Sequence, residues 1–138
     1  MNVEKEFYRM MATQTEIALA TCIANVPNVR IVNFIFDEVK KLIYFSTFGD
    51  NEKVKEFESN NEIAFTTIPH TGNEHVRARG VVSKSERTIM DLAEVFSKKV
   101  IGYEDTIEQV GEFLVLYEIS FTRANVILSF ESTDVIEL

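Results

Sequence analysis

The chain is poor in the residues that most often mark a special class of protein: one cysteine, no tryptophan, two prolines and five glycines in 138 residues. A single thiol excludes an internal disulfide and a thiolate metal set. With so little Pro and Gly there is no linker at which the chain could divide, so residues 1–138 are expected to form one domain. No apolar run approaches the ~20 residues needed to span a bilayer. The opening "MNVEKEFYRMM" lacks the apolar centre of a secretory signal, and the expectation is a soluble, cytoplasmic protein with no membrane partner. Cations are also scarce, 14 Lys and Arg against 22 Asp and Glu, for a net charge of −8. That surplus would repel a nucleic-acid backbone, which leaves a small ligand or another protein as the expected partner.

What the chain does have is apolar mass: 46% hydrophobic residues, eleven of them Phe. A chain of this length buries about two thirds of the surface it exposes when unfolded, enough for one core. Val3, Phe7, Met10 and Met11 recur at helical spacing and predict an amphipathic helix ending near Thr13. "EIALATCIAN" then alternates bulky Ile17, Leu19, Thr21 and Ile23 with small Ala18, Ala20, Cys22 and Ala24, a strand with one face open to close packing. Cys22 in that run is expected to be a buried, inert thiol.

"VPN" at 26–28 carries turn chemistry, and "VRIVNFIFD", "LIYFSTF", "EIAFTTIP", "HVRARGVVSKSE", "FLVLYEISF" and "ANVILSF" read as further strands. A helix with Val54 and Phe57 inward follows "LIYFSTF". A second stripe, Ile89, Leu92, Ala93, Phe96 and Val100, marks another, and "IGYEDTIEQVGE" is less regular. Strands come in consecutive groups and do not alternate with helices, so the fold class is mainly β with peripheral helices (α+β), a small, mostly antiparallel barrel of six to seven strands.

Three features could carry chemistry. In "FSTFGDNEKVKEF" a strand end rich in hydroxyls runs through a Gly turn into a helix with Lys53 in its first turn. Helix N-termini attract anions, so this is either a phosphate cradle or a helix capped by Asp50 or Asn51 with a solvated lysine. Cations also stand on strands: Arg30 beside Val32 and Phe34, and Arg77 with Arg79. Such residues are seldom buried unless paired, and either salt bridges or a shared ring around a phosphorylated ligand, with Ser46, Thr47 and Thr66, would account for them. His70 and His75 lack the spacing of a helical zinc pair and no third ligand accompanies them, so no metal site is expected.

The order and spacing of "VPNVRIVNFIFD", "LIYFSTFGDNEKVKEFESNNEIAFTT" and "HVRARGVV", within roughly residues 15–125, resemble the FMN-binding split barrels of the pyridoxamine 5′-phosphate oxidase-like family. The resemblance implies a split β-barrel with FMN as cofactor. It places Arg30 and Lys53 at the FMN phosphate with Thr47 and neighbouring Ser46, and the backbone of Ile31, Val32 and Asn33 along the isoalloxazine. His75 falls where the vitamin-pathway oxidases have a flavin-side Gln. It implies a homodimer with flavin near the subunit interface, taking electrons from a nicotinamide or similar small donor to a small acceptor. Departures from the family pattern are Glu52, where a second basic residue is common, and the absence of the Tyr, Arg and Ser set and of the C-terminal Trp and Arg that serve pyridoxal phosphate. The short general stress and flavin reductase-like members are the better match, not a true pyridoxamine 5′-phosphate oxidase. A non-catalytic protein that binds, stores or senses flavin or another cofactor is the alternative.

Overall fold

A computed structural model describes residues 1–50 and 52–138, with the side chain of Glu52 also outside the described part. Asn51, one of the two expected helix caps, therefore lies outside the described residues. Helix α1 (Val3–Thr13) is followed by strands β1 (Glu16–Ile23), β2 (Val26–Asn33), β3 (Ile35–Asp37) and β4 (Leu42–Phe48). Helix α2 (Glu52–Ser59) leads to β5 (Glu62–Thr67) and β6 (His75–Lys84). A 3₁₀ turn at Ile89–Leu92, α3 (Ala93–Lys99) and α4 (Tyr103–Val110) precede β7 (Leu114–Ser120), β8 (Arg123–Ser129) and β9 (Ser132–Glu137).

The sheet runs β2-β1-β5-β6-β7-β4-β3, with β8 pairing β6 and β9 pairing β8. All of the pairings are antiparallel. The two ends of the order, β2 and β3, are consecutive in the chain and separated only by Phe34, so the sheet curls into a barrel without closing its ladder. This is the expected α+β split barrel, with nine strands among the described residues in place of six to seven. The additional strands have two sources: "VRIVNFIFD" breaks at buried Phe34 into β2 and β3, and the C-terminal "STDVIE" pairs with β8.

The first hairpin also turns earlier than "VPN" suggested. Ala24 and Asn25 have φ of 48° and 65°, the two successive left-handed residues of a two-residue hairpin, and Val26, Pro27 and Asn28 already pair with β1. Pro27 is tolerated because β2 is an edge strand, where a missing N–H need not break a ladder. "IGYEDTIEQVGE" contains α4, started by Gly102 at φ 83°.

Phe7, Met10 and Met11 of α1 pack into the main core with Ile17, Phe34, Ile43, Phe45, Phe65 and Val76, while Val54 and Phe57 bring α2 onto it as expected. Phe45, Phe57 and Tyr117 form one aromatic group, with ring centroids 5.1–5.9 Å apart. A second cluster lies across β4: Tyr44 and Leu116 face Ile89, Leu92, Phe96 and Tyr103. Gly80 of β6 permits a close crossing, since a Cβ there would stand 2.5 Å from the Ser120 carbonyl oxygen. Among the described residues no helix is long and apolar enough to cross a membrane, and no group of three or more His, Cys, Asp or Glu is placed to hold a metal ion.

Candidate functional site

The β1/β2 register puts Arg30 opposite Leu19 and Asn28 opposite Thr21. Directly opposed residues share a face, and Leu19 and Thr21 are buried, so Arg30 and Asn28 point to the inner side of the sheet where α2 lies across it. Helical spacing brings Glu56 of α2 over this corner. Its Oε2 accepts from the Thr21 hydroxyl and from Arg30 Nη1 at 3.2 Å, and its Oε1 from Asn28 Nδ2 at 2.9 Å and Arg30 Nη2 at 3.4 Å. Burial raises the Glu56 carboxyl, but the bonds from Thr21, Asn28 and Arg30 outweigh it and hold the group below the usual carboxylate range.

Lys53, one turn before Glu56, is only 7% exposed. The alternative of a solvated lysine is thereby excluded. Burial lowers the ammonium's pKa, the nearby Arg30 charge lowers it further, and Glu56 acts in the opposite sense. Thr47, at the end of β4 just before α2, is buried as well. Its neighbour Ser46 points the other way, because adjacent strand residues alternate, and shares a hydrogen bond with the Tyr103 hydroxyl in the second cluster. Burial pushes the Tyr103 phenol up and the Ser46 bond works against that. The structure therefore brings Arg30, Lys53 and Thr47 to the inner, α2-covered side and separates Ser46 from them.

The outer face of the same sheet is laid out by register. Ile31 stands opposite Ala18, Ala18 opposite Thr66, and Thr66 opposite Arg77; one step along, Val29, Ala20, Ala64 and Arg79 make a parallel row. Val29 and Ile31 are 63% and 61% exposed. A floor of small residues thus runs between an apolar edge and a cationic one. Among the described residues the other edge of β2 has no ladder partner, so the backbone groups of Ile31 and Asn33 face outward from the sheet while those of Val32 turn to β1. His75 lies on the Arg77 and Arg79 face of β6, away from Arg30, and its Nδ1 meets the Asn73 carbonyl at 2.7 Å. A carbonyl only accepts, so Nδ1 donates this bond and the neutral ring would present Nε2 as its acceptor. Cys22 shares the outer face of β1 with Ala18 and Ala20 and is half-buried, more open than its apolar run implied.

Residues 10–131 match the family model described as pyridoxamine 5′-phosphate oxidase-like. The chain belongs to that family. No curated protein matches the sequence. Among solved structures, general stress protein 26 from Bacillus anthracis superposes with a TM-score of 0.77 at 13% identity, covering 100% of both chains. A heme binding protein from Mycobacterium smegmatis gives 0.75 at 11% identity, over 99% of this chain and 58% of that one. An FAD-binding protein from Mesorhizobium loti gives 0.65 at 10% identity, over 87% and 90%. At these identities the likeness is one of fold, and the same fold occurs in proteins described as heme binding and FAD-binding.

Whether this pyridoxamine 5′-phosphate oxidase-like chain suits a phosphorylated flavin can be tested on its own groups. Arg30 offers a planar fork and Lys53 a point charge in one buried corner, and the lowered Lys53 pKa would be reversed by an incoming dianion. These residues fit a phosphate. The condition is Glu56, which already occupies the Arg30 fork and which sequence reasoning did not single out. Its signal was available: a carboxylate three residues after Lys53 on a helix places both on one face.

Proposed function

We propose that the protein binds FMN, with the phosphate held by Arg30 and Lys53 and the ring along Ile31, Val32 and Asn33 on the outer side of β2. The observation that carries this reading is the convergence of Arg30 and Lys53 in one buried corner of an acidic protein, beside an edge strand with free backbone groups. Thr47 closes the corner from β4. His75, with Nε2 open as an acceptor, would meet the ring from β6. When bound, FMN supplies reversible two-electron chemistry, and the chain's own part is to position the ring and set the charge around it. The protein acts in this reading as a cytoplasmic oxidoreductase, passing electrons from a nicotinamide or similar donor to a small acceptor. Exposed Val29 and Ile31 over a floor of small residues suit a second copy of the chain, which would enclose the flavin in a homodimer.

A second reading, cofactor binding without turnover, is favoured by relatives described as heme binding and FAD-binding. Titration of FMN and riboflavin against the wild type and Lys53→Ala tests the phosphate site. The substitution should weaken FMN by about 1.5–3 kcal/mol, roughly ten- to hundredfold, and leave riboflavin nearly unchanged. Unchanged FMN affinity would remove Lys53 from the site. Bleaching of the bound flavin by reduced nicotinamide, with colour returning in air, separates the enzyme from the binder.

A further inference from the structure

We propose that the cleft between β6 and β8 is a separate binding site for a small organic dianion, a dicarboxylate or phosphate ester, held by Arg77, Arg79 and Arg123. The cleft exists because β6 changes partners. It pairs with β8 over His75–Arg77 and with β7 from Val81 onward, so Ala78, Arg79 and Gly80 have neither partner on that side. Between the diverging strands is a cavity of about 560 Å³, within the size range of small-molecule sites. Ala64, Ala78 and Ala124 leave room for a ligand body in it.

Three arginines line this one cavity in a protein of net charge −8. Arg77 and Arg79 are two apart on one strand face, about 6.6 Å along the strand, where like charges repel. Their directly opposed neighbours are neutral: Thr66 and Asn125 for Arg77, and Ala64 for Arg79. Glu62 occupies the diagonal position from Arg79 on β5, yet among the described residues neither Arg77 nor Arg79 is in an ion pair. Arg123, across the cleft, meets Glu137 at 3.6 Å with both side chains about two-thirds exposed (67% and 69%), an arrangement that costs little to release. A dianion, its charge on one phosphoryl group or at two carboxylate ends, would relieve the repulsion and take the planar forks in pairs. Thr122 and Asn125 add neutral polar groups for its remaining atoms. The site shares no residue with the Arg30 and Lys53 corner; Arg77 and Arg79 stand on the His75 face of β6, so the test uses a dianion without a flavin ring.

Isothermal titration of the full-length protein with succinate, and separately with inorganic phosphate, tests the assignment, with succinamide and sodium chloride at matched ionic strength as controls. Saturable binding of succinate is expected, weakened about tenfold or more by Arg77→Gln or Arg79→Gln, and phosphate binding supports the cleft only through the part that Arg77→Gln or Arg79→Gln removes in the Lys53→Ala background. Equal heats in the Arg77→Gln/Arg79→Gln double variant, or binding that sodium chloride reproduces, would overturn it. Loss of self-association in the double variant with no saturable dianion binding by the wild type would also overturn it, assigning the arginines to an interface between copies. Circular dichroism of each variant guards against loss of fold.

Discussion

Replacing Glu56 by Gln is the most demanding test of the buried corner, because all of the carboxylate's capacity is in use. Oε2 faces Thr21 and Arg30 Nη1, and Oε1 faces Asn28 and Arg30 Nη2. A glutamine has one acceptor oxygen. Whichever way its amide turns, an Arg30 N–H meets an NH₂ group, and Arg30 loses its counter-charge. Hydrogen bonds to a charged group contribute about 1.5–3 kcal/mol each, and removing one member of a buried pair costs about 3–5 kcal/mol. Side-chain exposures of 12% for Glu56 and 25% for Arg30 place the pair between surface and core, so about 3 kcal/mol is expected. For a domain of this size that is a fall in Tm of roughly 10 °C.

The pH dependence has a definite sign. The folded Glu56 pKa is depressed, so its contribution is present above the unfolded value near 4.5 and is lost as pH falls through the folded pKa. Thermal denaturation followed by circular dichroism from pH 7 down to pH 3 should show a smaller acid-side loss in Glu56→Gln than in the wild type. Under the flavin reading the same variant frees the Arg30 fork, so FMN should bind it at least as tightly as the wild type. A Tm change worth less than about 0.5 kcal/mol, the size of an ordinary surface substitution, would refute the argument that this carboxylate holds the corner together.

Lys99 donates to the Met11 carbonyl at 2.9 Å and lies 3.8 Å from the Phe34 ring centroid, and burial lowers its pKa from 10.5 to about 7. Between those values the unfolded chain binds the extra proton, so Lys99 makes stability rise with pH from about 7 to about 10.5; Lys99→Met should abolish that component, and identical pH slopes in both proteins would count against it. If Val29 and Ile31 form the contact between two copies, Ile31→Glu should give a monomer in sedimentation at micromolar concentration while far-ultraviolet circular dichroism is unchanged; a monomeric wild type would end the homodimer proposal.

Strand alternation, helical stripes and turn chemistry are local properties, and they were legible in the sequence. Leu19 against Ala18 and Ala20, or Val54 with Phe57, announces which side is buried because the period of side-chain direction is set by backbone geometry alone. The grouping of strands was enough for a mostly antiparallel sheet. The boundaries that failed were those where tertiary contacts decide. Phe34 divides one apolar run into two strands because the barrel core claims it, and Ala24 and Asn25 take the hairpin turn ahead of Pro27 because pairing with β1 extends that far.

The site followed the same division. Arg30, Lys53 and Thr47 were the residues to which the family resemblance pointed for the phosphate, and they do gather on one side. Strand alternation alone turns Ser46 away from Thr47, and only the fold shows that α4 brings Tyr103 to meet it on the opposite face of β4. Glu56 looks like one more acid on a polar helix, and nothing in the linear order shows that α2 lays it over Thr21, Asn28 and Arg30. The cleft at Arg77, Arg79 and Arg123 is further still from the sequence: it joins residues more than forty positions apart and exists only because β6 leaves β8 for β7. Periodicity assigns a side chain to a face, but which groups meet across that face is fixed by strand register and helix docking, which belong to the folded chain as a whole.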